Sequence, residues 1–227
     1  MLRVDCVLDV GANIGQFHEF LRLHVGYTGR IVSFEPVAEL YRTLLAASAG
    51  DPRWSLSQLA RGDASGCREI NVLHERTLTS FLARDEVNLR LMGYDKHLRE
   101  TEWERTEFVP IRRLDDVIPE VTAKGERLFL KSDTQGYDMH VVRGARGVLD
   151  RVVGLQVELS VRQVYIGSPD YLDGIAELQN LGYDVTGLFP VQRDRAERVV
   201  NFGCVLIRAA EAERLRHSRE QVASSSR

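Results

Sequence analysis

The turn Asp9-Val-Gly-Ala-Asn-Ile-Gly15 restricts what this chain can fold into more than any other stretch. It follows Cys6-Val-Leu-Asp-Val10, a short apolar run with the form of a buried parallel strand. Glycines at these places let the backbone turn sharply and approach a neighbour without a Cβ in the way. In open α/β sheets such turns lie outside the carboxyl ends of the strands, where the strand order reverses and ligands bind.

The rest of the chain extends that pattern. Apolar residues Phe17, Phe20, Leu21 and Val25 recur at helical spacing over 15–25, and a second strand over 30–34 stops at Glu35-Pro36. A helix over 37–49, a strand over 54–59 and a fourth over 68–73 follow. The stretch 84–107 is densely charged, carries Tyr94, Leu98 and Trp103, and reads as a helical insertion or lid. Residues 108–111 read as an edge strand, because Pro110 lacks a ladder donor. Alternation resumes with strand 127–133, helix 138–150, strand 152–159 and helix 171–181. Strands over 183–188 and 201–207 then form an antiparallel hairpin. The expected fold is α/β: an open, mostly parallel, doubly wound Rossmann-like sheet with a C-terminal antiparallel hairpin. Residues 1–208 make one domain, and 209–227 form a charged, Ser-rich tail expected to fray.

Composition narrows the function. A net charge of −3 over 227 residues offers no basic field for nucleic acid or a membrane surface. No apolar run approaches the roughly 20 residues of a membrane span. Cys6, Cys67 and Cys204 lie far apart and match no metal-ligand spacing, which suits reduced thiols in the cytoplasm. The strand-like start leaves no room for a signal peptide.

The turn reads D-x-G-x-N-x-G, and differs from the dinucleotide fingerprint in spacing and in Asn13. That argues against a nicotinamide-dependent oxidoreductase, and the lack of a Gly-Lys-Ser/Thr phosphate loop argues against a nucleotide triphosphatase. Glu35, 20 residues after Gly15, ends the second strand, where a carboxylate can accept both ribose hydroxyls. Pro36 fixes the chain at that exit. The pair points to S-adenosyl-L-methionine, with Asp9, Gly11, Asn13, Gly15, Glu35 and Pro36 around it. Asp63 is placed to accept from the adenine amino group, or else serves as a turn aspartate. Asp9 has a structural alternative of its own, the satisfaction of turn amides.

Val7-Leu-Asp-Val-Gly-Ala-Asn-Ile-Gly-Gln-Phe17, Val32-Ser-Phe-Glu-Pro36, Arg113-Leu-Asp-Asp116 and Leu130-Lys-Ser-Asp-Thr-Gln-Gly-Tyr-Asp138 with Gly144-Ala145 occur in the order seen in FkbM-type methyltransferases. Over residues 5–207 the chain resembles that family. The resemblance implies a class I methyltransferase fold, S-adenosylmethionine as cofactor, and a hydroxyl of a sugar or natural product as acceptor. Such enzymes usually carry helices before the first strand, so the abrupt beginning here raises the question of a shortened or wrongly assigned start. The chain departs from the pattern at Ser132, where an apolar residue is usual, at Asp138, where Glu is commoner, and at Gln135, where many members have an acid.

Lys131, Asp133, Gln135, Asp138 and His140 crowd the end of one strand. An alcohol acceptor needs a base late in the transfer, and Asp133, His140 and Glu158 are the choices, with Lys131 beside them. Each has a plain alternative: Asp133 a pair with Lys131 or a helix cap, His140 a surface position, Glu158 a buried structural hydrogen bond. Asp133 also borders the cofactor. Asp133, Asp138 and Glu158 could hold a divalent cation, although a metal is not expected. Thr79, Ser80 and Tyr165 are candidates for the acceptor pocket. The partner expected is a small glycosylated or polyhydroxylated molecule. The competing reading is a catalytically idle cofactor-binding or scaffold domain.

Overall fold

A computed structural model describes residues 2–93 and 103–225, without the side chains of 218–225. Its main sheet has seven strands in the order β3-β2-β1-β7-β8-β10-β9. These are β1 Cys6–Val10, β2 Arg30–Phe34, β3 Trp54–Ser57, β7 Leu128–Ser132, β8 Val152–Ser160, β9 Tyr183–Arg193 and β10 Val199–Arg208. The first five run parallel, and β10 lies antiparallel between β8 and β9. The chain builds outward from β1 through β2 to β3, then returns to place β7 on the other side of β1. The strand order therefore reverses between β1 and β7, which puts the ligand crevice at the ends of those two strands.

All five residues of β1 are buried, as a central parallel strand covered on both faces requires. Helices α1 Gln16–Phe20, α2 Ala38–Ser48, α3 Glu86–Leu91, α4 Leu114–Val121, α5 Asp138–Arg143 and α6 Tyr171–Asn180 lie between strands. Leu8, Val10, Leu130, Leu155 and Val157 of the sheet pack with Leu114, Val117, Ile118, Val141 and Val142 in one core. Helix α4 was not expected from the sequence, and it contains Pro119. Leu114, Val117 and Ile118 nonetheless carry the helical spacing and are all buried.

Four expectations change. The strand expected at 68–73 exists as β5 Gly66–Leu73, but it belongs to a second sheet of order β4-β6-β5, with β4 Ala60–Arg61 and β6 Trp103–Arg112. Residues 108–111 are part of β6, which is the middle strand of that sheet. Pro110 is tolerated because β4 pairs only with Ile111 and Arg112, leaving it outside the doubly paired stretch. Of the 84–107 segment, 86–91 is helical while 103–107 is strand; Tyr94 and Leu98 lie outside the described residues. Its charge density reflects ion pairing around the strand, with Arg76 Nη1 2.6 Å from Glu104 and Arg105 Nη2 2.6 Å from Glu107. The tail expected to fray carries helix α7 Ala209–Ser225, whose first turn is anchored where Glu211 accepts from Arg127 at 2.8 and 3.0 Å. Among the described residues no helix is long and apolar enough to cross a membrane.

The turn after β1 owes its glycines to packing as much as to a ligand. Gly11 has φ +76°, and a Cβ there would meet the Asp133 carbonyl oxygen at 2.0 Å. Gly15 has φ +99°, and its Cβ would meet the Trp54 ring at 2.8 Å. Gly15→Ala is expected to destabilise the fold by about 1–3 kcal/mol, from left-handed strain plus overlap with a buried ring. Denaturant unfolding monitored by far-UV circular dichroism measures it.

Candidate active site

Glu35 sits just past β2 and is 4% exposed. Its Oε1 accepts from the Val37 amide and its Oε2 from the Asn13 amide, each at 2.9 Å. Asn13 can present that amide because it adopts φ +49° within the turn. Each carboxylate oxygen keeps a lone pair for a further donor. Burial pushes the Glu35 carboxyl up to about 7, against the two backbone hydrogen bonds that favour its ionised form.

Asp9 points elsewhere. It is fully buried, with Oδ2 accepting from Ser33 Oγ at 3.0 Å and Oδ1 3.0 Å from Lys131 Nζ. Ser33 in turn accepts from the Trp54 indole at 2.9 Å. Lys131 also donates to the Gly11 carbonyl at 3.2 Å. Burial pulls the Lys131 ammonium down, but Asp9 and Asp133 outweigh it and hold the group above the ordinary lysine value. Asp9, expected as a cofactor contact, and Lys131, expected as a catalytic group, are thus paired with each other. The two neutralise each other in the interior and tie β7 to the β1 turn.

At the end of β7 the Asp133 amide donates to the Val10 carbonyl at 3.0 Å, closing the chain across the switch point. The Asp133 side chain stays 40% exposed, with Oδ2 3.8 Å from Lys131 Nζ and Oδ1 accepting from Gln135 Nε2 at 2.8 Å. Asp138 is buried at the start of α5, where Oδ1 accepts from the Thr134 amide. Its other oxygen has no partner among the described residues, and burial raises the group to about 6. On β8, Glu158 accepts from Asn201 Nδ2 of β10 and is pushed up to about 8, chiefly by burial and then by Asp133 and Asp138. Asn201 Oδ1 is buried and without a partner among the described residues. Among those residues no three His, Cys, Asp or Glu are grouped to hold a metal ion, so Asp133, Asp138 and Glu158 do not form the cluster considered above.

Glu35, Lys131, Asp133, Glu158 and Asn201 line one cleft with two lobes. The smaller is bordered by Glu35, Pro36, Leu59, Ala60, Thr79 and Ser80. The larger is bordered by Phe17, Gln156, Glu158, Gln192, Asn201 and Lys131. Gly11, Asn13, Thr77, Asp133 and Gln135 line both and mark their junction.

Asp9, Gly15, Asp63, Asp138 and His140 do not border either lobe. Asp63 Oδ2 and His140 Nδ1 lie 2.7 Å apart, and the imidazole stacks on Tyr137 at 4.1 Å. Burial raises the Asp63 carboxyl, and the contact with His140 outweighs it, leaving the group below its usual range. Asp63, expected at the adenine, and His140, expected to handle the proton, are thus paired with each other, His140 from α5. His140→Ala is expected to change turnover by no more than about threefold, the size of an ordinary surface change; initial rates check it. Tyr165 does not border the cleft either. It is packed against Gly136, and its hydroxyl lies 3.0 Å from both Gln135 Oε1 and the Leu78 carbonyl. Asn201 was missed, although an Asn inside the apolar run of β10 is itself a signal.

The family profile described as the methyltransferase FkbM domain matches residues 9–185. No curated protein matches the chain in sequence. Among solved structures, the chain is similar to Aeropyrum pernix fibrillarin in complex with S-adenosyl-L-methionine, at 13% identity and TM-score 0.49, covering 89% of this chain and 66% of that one. It is also similar to magnesium protoporphyrin IX methyltransferase from Synechocystis PCC 6803 with bound cofactor, at 7% identity and TM-score 0.47, covering 89% and 69%. The glycopeptide N-methyltransferase MtfA gives 11% identity and TM-score 0.43, covering 91% and 84%.

Proposed function

The chain belongs to the FkbM methyltransferase family, and from that premise we propose that it uses S-adenosyl-L-methionine to methylate a hydroxyl of a small polyhydroxylated acceptor. The carrying observation is the two-lobed cleft whose junction is formed by Gly11, Asn13, Asp133 and Gln135. The residues of the smaller lobe suit an adenosyl group. Glu35 has two lone pairs left for a ribose diol, Pro36, Leu59 and Ala60 offer apolar surface, and the turn amides and Asp133 suit a zwitterionic amino acid. When bound, this cofactor supplies an electrophilic methyl group, so the protein need only orient the acceptor and handle its proton.

Glu158 is the residue we assign to the proton. It borders the larger lobe, and its raised value of about 8 makes it a base strong enough to share a hydroxyl proton. Asn201 holds Glu158 through Nδ2, while its unpartnered Oδ1 calls for a donor, which a hydroxyl supplies. Gln16, Gln156, Gln192 and Asn201 line the same lobe, and carboxamides both donate to and accept from hydroxyls. Phe17 adds a flat apolar face suited to a ring. Lys131, the cation of this lobe, is already neutralised by Asp9, which favours a neutral acceptor over an anionic one.

The test is a transfer assay on neutral glycosides and polyols, following release of S-adenosylhomocysteine. Hydroxyl methylation of at least one of them is the expected result. Exclusive methylation of amines would overturn the acceptor class, and cofactor binding with no transfer at all would favour an idle binding domain.

A further inference from the structure

We propose that Gln135 is the positioning residue for Asp133, holding that carboxylate at the junction of the two lobes with an uncharged donor. This rests on the reading above in one respect, that Asp133 borders the bound cofactor.

Gln135 is built into its place from three sides. Its backbone is left-handed, φ +54°, and is followed by Gly136 at φ +85°. Its carbonyl accepts from Ser80 Oγ at 2.7 Å, which fixes the loop from the β5 side. Its side chain then spans two groups of opposite demand. Nε2 donates to Asp133 Oδ1 at 2.8 Å, and Oε1 lies 3.0 Å from the Tyr165 hydroxyl. Tyr165 is 3% exposed, and its single O–H is shared between Gln135 Oε1 and the Leu78 carbonyl, so the accepting end of the amide meets a donor while Nε2 faces the Asp133 carboxylate.

A carboxamide has one end that donates and one that accepts; an ionised carboxylate only accepts. An acid at position 135 would set two carboxylates against each other at hydrogen-bond distance, and the pair would have to share a proton. Lys131 would offset only part of this, because its ammonium is also held by Asp9 and the Gly11 carbonyl and lies 3.8 Å from Asp133 Oδ2. Asp138 on α5 and Glu158 on β8 add further acidic groups around the same place. The amide therefore suits the site for a reason visible in its contacts. It gives Asp133 a donor without adding charge, and it fixes which carboxylate oxygen is left facing the cleft.

The experiment follows the Asp133 carboxyl carbon by NMR through a pH titration, and S-adenosylhomocysteine binding by calorimetry over the same range. It uses the full chain as wild type, Gln135→Glu and Gln135→Met. In Gln135→Glu the Asp133 titration is expected to move up by about one pH unit or more, and the binding profile to gain a second step. Gln135→Met, of similar volume, is expected to weaken binding by roughly fivefold to tenfold with no added step. Superimposable Asp133 curves and binding profiles for wild type and a folded Gln135→Glu would overturn the proposal. Should that variant fail to fold, unchanged affinity in Gln135→Met would overturn it equally. If wild type does not bind S-adenosylhomocysteine, the cofactor reading fails, while the Asp133 titration still decides the role of Gln135.

Discussion

Glu35→Gln is expected to raise the dissociation constant for S-adenosylhomocysteine by at least about a hundredfold, with the fold intact. Each hydrogen bond to a charged group is worth roughly 1.5–3 kcal/mol, and the substitution weakens the contacts of both ribose hydroxyls. It also turns an NH2 toward either the Asn13 or the Val37 amide, so the turn loses one of its two anchors on the carboxylate. Calorimetric titration gives the affinity, and a thermal melt of the unliganded variant separates lost binding from lost structure.

The same residue imposes a pH dependence with a definite sign. The Glu35 carboxyl is raised to about 7 by burial, and a ribose diol needs it ionised. Affinity for S-adenosylhomocysteine should therefore rise with pH, by about tenfold between pH 6 and pH 8, and level off above. Stability of the unliganded protein runs the other way. A buried acid that holds its proton above its unfolded value favours the folded state at low pH, and that contribution is lost as pH climbs from about 4.5 through about 7. Glu35→Gln should flatten both trends.

Glu158→Gln is expected to lower kcat by roughly 10²- to 10⁴-fold, the range for loss of a general base, while cofactor affinity stays within about twofold. The amide oxygen can still accept from Asn201, so packing between β8 and β10 is preserved. In wild type, kcat should climb with pH and level off above about 8, because burial and the neighbouring carboxylates hold Glu158 protonated below that. The variant should lose this limb. Equal losses in affinity and in kcat would instead assign Glu158 a structural part.

The legible features of the sequence were those whose evidence is local. The D-x-G-x-N-x-G turn, Glu35 twenty residues on, and Asp133 at a strand end all sit where a parallel sheet presents its carboxyl edge. Glycine spacing and apolar runs report that edge directly. What the sequence did not disclose is which polar groups are already spent. Asp9 looks like a cofactor ligand until Lys131, from a strand more than a hundred residues later, neutralises it. Asp63 and His140 each look available until they meet across 77 residues. Glu158 gains Asn201 only because β10 inserts between β8 and β9, a pairing that no local pattern encodes. The second sheet was hidden for a related reason: charges on β6 that pair with Arg76 and with one another read, in sequence, like a solvated helix.

The most direct measurement is a calorimetric titration of the folded wild-type chain with S-adenosylhomocysteine at pH 8. Saturable binding is expected, about tenfold weaker at pH 6 and at least about a hundredfold weaker in Glu35→Gln. No binding by a chain whose circular dichroism shows the intact α/β fold, or binding indifferent to Glu35, would contradict it.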